Sequence, residues 1–212
     1  MPGAFPNYIY IVNILSQMKN QKIIKRVTHK GVFPYQFAFT LLIPLRNLFL
    51  SPKKLIKRLS LAPDAMVLEV GCGPGYFSVP VATHLTGGRL VLADIQQEML
   101  DYAARRINKK GLTNCEYYLC DGAHFTQDDC SFDVIYMITV LGEIENKALY
   151  LKAFYRLLKP GGILSFSEQA GDPDKLSKAE IKSLLADTGF EFQQDFGNDR
   201  NFTINFVKPV NR

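Results

Sequence analysis

The segment 67–78 reads VLEVGCGPGYFS, an apolar run followed by a glycine-rich turn. Because Gly71, Gly73 and Gly75 carry no side chains, the backbone can adopt unusual dihedral angles and a ligand can approach its amides closely. Glu69 stands at the end of the apolar run, beside this turn. The pattern predicts a buried strand that runs into a ligand-binding turn and then a helix.

A second acidic residue, Asp94, ends the next apolar run and lies 19 positions after Gly75. In nucleotide-binding βαβ units, an acidic residue about 20 positions beyond the glycines accepts hydrogen bonds from ribose hydroxyls. The spacing therefore predicts a ligand that contains ribose. Asp94 could also cap the helix that follows, and the two roles are compatible.

The glycine pattern distinguishes between two kinds of ribose ligand. A dinucleotide fingerprint, G-x-G-x-x-G/A, counted from Gly71 places its last small residue at Tyr76, and a bulky ring there disfavours a pyrophosphate. The pattern E-x-G-x-G-x-G instead resembles that of the class I S-adenosylmethionine-dependent methyltransferases. Further matching segments over about residues 64–208 are CDGAHF at 120–125, FDVIYMIT at 132–139 and LKPGG at 158–162.

The resemblance implies S-adenosylmethionine as the cofactor and gives the residues of the turn specific roles. The three glycines would bring backbone amides close to the methionyl carboxylate and the ribose. Glu69 would bind the amino group, directly or through water. Asp94 would accept from the ribose hydroxyls, with Ile95 as a wall of the adenine slot.

The segment after the third predicted strand would contact the adenine. By the same resemblance, Asp121 would accept a hydrogen bond from the adenine amino group, with the backbone of Gly122 or Ala123 near the ring. A simple Asp-Gly turn is the alternative explanation for this segment.

Two residues are candidate catalytic bases. Methyl transfer is an in-line displacement that depends mainly on alignment, and a base is needed only where the acceptor loses a proton. Glu143 follows the fourth predicted strand, at the edge of the sheet that should face the substrate, although many family members carry histidines there. His124 lies near the predicted cofactor segments, but a surface position would explain it equally well. Glu145 is expected in the first turn of the next helix.

Strand-like and helical runs alternate from residue 66 onward. The predicted strands are 67–70, 89–93, 115–119, 132–138 and 162–167, and the predicted helices between them are 75–86, 96–109 and 145–158. Such alternation predicts a mostly parallel sheet with helices on both faces.

The end of the chain has a different pattern. Ser177 and Glu180 form a capping box for a helix to about residue 187. The short connection between the β-rich runs 190–196 and 201–207 predicts an antiparallel hairpin. The predicted fold class is therefore α/β, with a Rossmann-like, mostly parallel seven-stranded sheet that ends in this hairpin.

Residues 1–60 contain ten Lys or Arg and no Asp or Glu, whereas the other fifteen basic residues accompany all 20 acidic ones. We interpret 1–60 as a helical, basic, amphipathic N-terminal cap and 61–212 as the methyltransferase domain. By resemblance, the cap would cover the cofactor and shape the substrate pocket. Tyr35 and Tyr76 would line that pocket, although either ring could be plain core. The basic surface could instead dock on the acidic remainder of the chain or contact an anionic membrane.

The four cysteines form no C-x-x-C pair and have no histidine partner at zinc-finger spacing, so we expect reduced thiols and no metal site. No uninterrupted apolar run approaches the roughly 18 to 20 residues of a membrane span. The first residues do not follow the pattern of a signal peptide. We therefore expect a cytoplasmic protein, with membrane association at most at the surface.

The predicted function is S-adenosylmethionine-dependent methyl transfer to a small or medium-sized apolar acceptor, such as a lipid, a quinone-like or an aromatic compound. Nucleic acid is disfavoured, because TVLG at 139–142 replaces the N/D-P-P-Y/F motif of enzymes that methylate exocyclic amines of bases. Two alternatives remain open. One is a nucleotide-dependent oxidoreductase, against which Tyr76 argues, and the other is a non-catalytic S-adenosylmethionine-binding module at a membrane surface.

Overall fold

A seven-stranded sheet organises residues 50–210, the part of the chain that the computed structural model describes. Its strands are β1 (Met66–Val70), β2 (Arg89–Asp94), β3 (Cys115–Leu119), β4 (Phe132–Ile138), β5 (Leu158–Glu168), β6 (Glu191–Asn198) and β7 (Asn201–Val207). Their order across the sheet is β3-β2-β1-β4-β5-β7-β6. The first five strands are parallel, and β7 runs antiparallel to both of its neighbours, β5 and β6. This arrangement confirms the predicted fold class.

Helices cover both faces of the sheet. Within the described residues they are α1 (Pro52–Arg58), α2 (Ser78–His84), α3 (Gln97–Lys109), α4 (Lys147–Leu157) and α5 (Lys178–Leu185). Local sequence fixes where two of them begin. The Ser51 hydroxyl accepts a hydrogen bond from the Lys54 amide at the start of α1, and Ser177 forms the predicted reciprocal capping box with Glu180 at the start of α5.

The two faces of the sheet form two apolar cores. Successive residues of a strand point to opposite faces, so Val67 packs with α1, α2 and α3, whereas Leu68 packs on the side of α4 and α5. Both kinds of position are apolar because both faces are covered. Leu55 and Leu59 fix the α1 region in the first core, and each fully buried leucine contributes about 1.5–3 kcal/mol.

Two element boundaries differ from the predictions by three residues or more. Helix α2 begins at Ser78 rather than at 75, because the preceding residues form the glycine turn. Strand β5 already begins at Leu158, where a turn was expected before 162. The reason is pairing on both sides of β5. Leu158 is in register with Phe132 of β4. Beyond β7, the Gly161 amide donates to the Lys208 carbonyl, and the Lys208 amide donates to the Gly162 carbonyl.

Helix α1 is joined to the terminal hairpin by polar groups inside the structure. The Arg58 guanidinium donates to the Thr203 hydroxyl at 3.0 Å, and the Asn205 amide nitrogen donates to the Arg58 carbonyl at 2.7 Å. The predicted cap over residues 1–60, including Tyr35, otherwise lies outside the described residues. In residues 50–210, no helix combines the length and the hydropathy needed to cross a membrane.

Candidate active site

A cavity of about 830 Å³ opens at the carboxyl ends of β1 and β4 and is lined by the loops that follow β1 to β5. These two strands are neighbours in the sheet, but the chain passes outward through β2 and β3 before it returns to β4. The cavity thus lies at a topological switch point, where open α/β sheets bind their ligands. Its volume is within the range of about 300–1,000 Å³ found for small-molecule sites.

The glycine turn brings main chain to the wall of the cavity. Gly71 and Gly73 line the cavity and have positive φ angles of 72° and 51°. A Cβ atom at Gly71 would lie 2.4 Å from Cγ2 of Val140, so a side chain there would collide with the loop that follows β4. Gly75 does not line the cavity. A Cβ at this position would lie 3.0 Å from Cβ of Ala103, so Gly75 allows the turn to pack against α3.

Asp94 ties the glycine turn to the end of β2. Asp94 is 7% exposed, and its carboxylate accepts hydrogen bonds from the Gly73 amide at 2.9 Å and from the Gln96 amide at 3.0 Å. Burial raises the pKa of Asp94, while these amides oppose that rise. The N-cap of α3 is Gln96, so the alternative role of Asp94 as the cap residue is wrong. Ile95 is 48% exposed and lines the cavity beside it.

Glu69 is a buried carboxylate at the base of the cavity. It is 4% exposed, and the Ser78 hydroxyl donates to its Oε2 at 2.5 Å. Burial raises the pKa of Glu69 to about 7, and the hydroxyls of Ser78 and Tyr136 oppose that rise. Because a nearby positive charge would favour the ionised form, this carboxylate fits an ammonium group. The neighbouring Cys72 belongs to the apolar core on the side of α1, α2 and α3, and burial raises the pKa of its thiol well above the ordinary value.

The segment predicted to contact the adenine, residues 121–124, forms a tight turn, and its base and tip lie in different surroundings. Asp121 and His124 form an isolated antiparallel bridge at its base, and both are exposed. Gly122 and Ala123, at its tip, line the cavity. His124 instead borders a separate shallow depression next to Arg156. The fold therefore brings Gly122 and Ala123 into the lining of the cavity, and it does not bring Asp121 or His124 there.

The loop after β4 forms the end of the cavity opposite the adenine segment. Thr139 has a φ of 55°, uncommon for a residue other than glycine, and its amide donates to the Ser167 carbonyl at 2.8 Å. Glu143 lines the cavity, and burial, followed by the charges of Asp172 and Asp174, raises its pKa to about 8.

Glu145 also lines the cavity. It precedes Asn146, the N-cap of α4, and the first turn of this helix contains no acidic residue. The predicted position of Glu145 in that turn is therefore wrong. Tyr76 lines the cavity too, with its ring in edge contact with Phe77 at 4.9 Å between centroids.

The sequence analysis did not single out four residues that the fold brings to this site. Ser78 holds Glu69, and Gln169, Asp172 and Asp174 line the cavity from the loop after β5. The signal for the last three was available, because polar residues directly after a parallel strand lie at the same sheet edge as those after its neighbours.

Comparison with known proteins identifies the family. Residues 67–162 match the family profile described as a methyltransferase domain. Nodulation protein S of Rhizobium tropici is 33% identical over 170 residues, which cover 74% of this chain and 69% of that protein. The chain belongs to the class I S-adenosylmethionine-dependent methyltransferases. A methyltransferase of this cofactor dependence from Aquifex aeolicus shares the fold, with a TM-score of 0.78 at 24% identity, over 84% of this chain and 100% of that one.

Two other relatives of this methyltransferase chain are longer. Phosphoethanolamine N-methyltransferase 1 of Zea mays is 32% identical over 66% of this chain and 27% of the relative. A ubiquinone/menaquinone biosynthesis C-methyltransferase of Hydrogenovibrio crunogenus is 32% identical over 50% of this chain and 44% of the relative. The chain spans less than half the length of these two relatives.

The residues of the cavity fit S-adenosylmethionine, the cofactor of this family. Gly71 lines the cavity with main-chain atoms alone, and a side chain there would collide with the loop after β4. Asp94 and Glu69 provide one buried carboxylate on each side of this turn, with pKa values that burial raises. A ribose diol and an ammonium group are the partners that satisfy such carboxylates.

Proposed function

We propose that this chain transfers the methyl group of S-adenosylmethionine to a small-molecule acceptor that enters the end of the cavity between the loops after β4 and β5. The observation that carries the proposal is the arrangement of Asp94. Its buried carboxylate joins the glycine turn to the start of α3 at the switch point of the sheet. This arrangement suits a ribose-containing ligand whose reactive group points toward the loop of Glu143.

In this mechanism the bound cofactor supplies an electrophilic methyl group on a sulfonium. Asp94 would hold the ribose hydroxyls, the amides of the glycine turn would approach the methionyl part, and Glu69 would hold the ammonium group. Gly122 and Ala123 would border the adenine. Alignment of donor and acceptor in a cavity shielded from water provides much of the acceleration. Glu143 stands at the acceptor end, where a base would act.

The predicted apolar character of the acceptor agrees with part of the lining. Ile138, Val140, Ile144 and Leu149 border the cavity near its acceptor end. We therefore propose an acceptor with an apolar body. The names of the two longer relatives specify a nitrogen acceptor in one and a carbon acceptor in the other, so the relatives leave the acceptor atom of this chain open.

We also propose that the basic N-terminal segment, residues 1–60, makes peripheral contact with anionic membranes. The support is the uneven charge of the sequence, with ten basic and no acidic residues in this segment. Anionic lipids attract such segments by about 1 kcal/mol for each Lys or Arg near the surface.

Calorimetric titration of the full chain tests the central proposal. We expect wild type to bind S-adenosylmethionine and S-adenosylhomocysteine at micromolar concentrations and to bind NAD far more weakly. Asp94→Asn should weaken both favoured ligands by about a hundredfold, since the ribose diol and the glycine turn lose a charged acceptor. Asp101→Asn, the same change on the exposed face of α3, is the matched control and should bind like wild type.

The titration, together with a methylation assay in cell extract, distinguishes the competing functions. Preferential binding of NAD would contradict the methyltransferase proposal and favour an oxidoreductase. Binding of S-adenosylmethionine without methylation of any acceptor in a cell extract would favour a non-catalytic binding module.

A further inference from the structure

The loop after β5 contributes a buried hydrogen-bond donor to the wall of the cavity. Gln169 directly follows Glu168, the last residue of β5, and lines the cavity. Gln169 is 6% exposed, and its side-chain nitrogen Nε2 has no hydrogen-bond partner among residues 50–210. A buried donor without a partner lowers the stability of the protein, because the nitrogen has lost its hydrogen bonds to water. Such a donor in a cavity wall points to a ligand atom that accepts its hydrogen bond.

The main chain on both sides of Gln169 is fixed. The Thr139 amide donates to the Ser167 carbonyl at 2.8 Å, which joins the end of β5 to the end of β4. The Ala170 amide donates to Oδ1 of Asn201 at 2.9 Å, which joins the loop after β5 to the start of β7. Because these bonds hold the loop before a ligand binds, little main-chain ordering opposes binding at Gln169.

The place of Gln169 in the sheet separates it from the residues proposed to hold the cofactor. In the strand order, β5 lies on one side of β4, whereas β1 and β2, which precede the glycine turn and Asp94, lie on the other. Gly122 and Ala123 follow β3, which is farther still from β5. Gln169 therefore belongs to the acceptor end of the cavity.

The charges around the cavity indicate what kind of ligand atom suits this donor. No described residue that lines the cavity is Lys, Arg or His, whereas Glu143 and Glu145 bring carboxylates to the acceptor end. Lys147, next to this end, donates to the carbonyl oxygens of Ile144, at 2.5 Å, and of Gly142, at 3.4 Å. A ligand carboxylate or phosphate would therefore gain no countercharge from the described lining. A neutral oxygen needs none.

We propose that Gln169 is a specificity-determining residue whose Nε2 donates a hydrogen bond to an uncharged oxygen of the methyl acceptor, such as a carbonyl or hydroxyl oxygen. This inference rests on the proposed methyltransferase function and specifies its acceptor. The acceptor would combine the apolar body proposed above with one neutral oxygen. A group that can only donate, such as an ammonium ion, would leave Nε2 without a partner, and so would a hydrocarbon.

The test uses the full chain saturated with S-adenosylhomocysteine and three aromatic probes of similar size. Acetophenone carries a neutral carbonyl oxygen, ethylbenzene lacks the oxygen, and benzoate carries a negative charge. Titration followed by the proton NMR signals of each probe gives its affinity. In wild type, we expect benzoate to bind at least about tenfold more weakly than acetophenone.

Gln169→Met removes the donor and keeps a side chain of similar length. The ratio of the acetophenone affinity to the ethylbenzene affinity should fall about fivefold, because only acetophenone loses a hydrogen bond. The melting temperature of the ligand-free variant should rise by about 2–4 °C, because the unpartnered donor is gone. Gln193→Met, the same change at an exposed position of β6, is the matched control and should leave the affinity ratio unchanged.

Three results would overturn the inference and leave the methyltransferase proposal standing. They are an unchanged affinity ratio in Gln169→Met, wild-type binding of benzoate as tight as that of acetophenone, and the absence of binding by any probe. A lower melting temperature of Gln169→Met than of wild type would also overturn it, because Nε2 would then have a partner in the ligand-free protein.

The affinity for S-adenosylhomocysteine separates the two proposals. An affinity of Gln169→Met within about threefold of wild type supports the inference and shows that the cavity is still folded. A loss of about tenfold or more would assign the donor to the cofactor and overturn the inference. If wild type does not bind S-adenosylhomocysteine, the methyltransferase proposal fails first, and the inference fails with it.

Discussion

At the scale of single residues, burial changes what the acidic side chains can do. Glu69 and Asp94 both have raised pKa values because the fold removes them from water, and backbone or hydroxyl donors only partly compensate. Burial of such ionised carboxylates lowers the stability of the protein without ligand. A ligand that donates hydrogen bonds or carries a positive charge offsets this cost. This is the trade between stability and function expected at a binding site.

Glu69→Gln should change how stability depends on pH. The pKa is about 7 in the folded protein against 4.5 as the ordinary value. As the pH rises from about 4.5 to about 7, the unfolded chain loses this proton before the folded one does, so wild type loses stability over that interval. The variant lacks this loss. We expect its free energy of unfolding to rise relative to wild type by about 3 kcal/mol between about pH 5 and about pH 8.

Urea denaturation of the cofactor-free proteins at the two pH values measures this difference. Glu191→Gln, on the exposed edge strand, should show no comparable change with pH. Parallel pH profiles for Glu69→Gln and wild type would contradict the prediction.

At the scale of elements, the site depends on how closely the turns after β1 and β4 approach. Gly71 and Val140 come from these two turns and touch, and Gly142 brings the β4 loop against the loop after β5 in the same way. Each of these glycines therefore lets two loops approach closely, and together they let three loops surround one cavity.

Gly71→Ala should be more harmful than a glycine substitution of similar backbone strain. The added Cβ would lie 2.4 Å from Val140, at a φ of +72°. Gly111 has a φ of +67°, and a Cβ added there would have no atom within 4 Å, so Gly111→Ala isolates the cost of the dihedral angle, about 1–2 kcal/mol. We expect Gly71→Ala to lose more stability than this and to bind S-adenosylhomocysteine at least about tenfold more weakly.

Thermal unfolding and calorimetry measure the two effects. Adding Val140→Ala to Gly71→Ala should restore part of the affinity, because it removes the atoms that collide. Equal stability of Gly71→Ala and Gly111→Ala, with unchanged affinity in both, would show that the contact with Val140 is unimportant.

At the scale of the whole molecule, the ends of the described chain are joined through a buried polar group. Asn205 on β7 is fully buried, accepts a hydrogen bond from the Ser165 hydroxyl at 2.7 Å and donates to the Arg58 carbonyl at 2.7 Å. It therefore connects α1 with the strands that end the sheet.

Asn205→Ala should lower the free energy of unfolding by about 3 kcal/mol, because it leaves a carbonyl and a hydroxyl without partners and opens a small cavity. Asn108→Ala, at an exposed position of α3, should change it by no more than about 0.5 kcal/mol. Chemical denaturation compares the two, and an equally small effect at Asn205 would contradict a connecting role.

The basic N-terminal segment makes a prediction about membranes. The full chain should sediment with vesicles that contain phosphatidylserine and not with neutral ones, and high salt should release it. Replacement of Lys19, Lys22, Lys25 and Arg26 by Gln should remove most of this binding. Binding of the substituted chain equal to that of wild type would assign the interaction to another surface.

The amino-acid sequence alone was enough to predict the order of strands and helices, the terminal hairpin, the glycine turn and the position of Asp94. These features are local: each follows from the period of apolar residues or from a spacing within one βαβ unit, and both kinds of pattern can be read along the chain. The start of β5 was missed because pairing with residues distant in the sequence sets it, and the start of α2 was missed because the glycine turn occupies the residues before it.

Which polar residues share the cavity depended instead on the tertiary fold. It turned His124 and Asp121 away from the lining, and it gathered Glu143, Asp172 and Asp174 from two loops that are far apart in the sequence. Burial and the charges of neighbouring residues set the pKa of Glu143, and both arise only when the folded chain brings the two loops together. They depend on distances through space, and those distances are fixed by the packing of loops at one edge of the sheet.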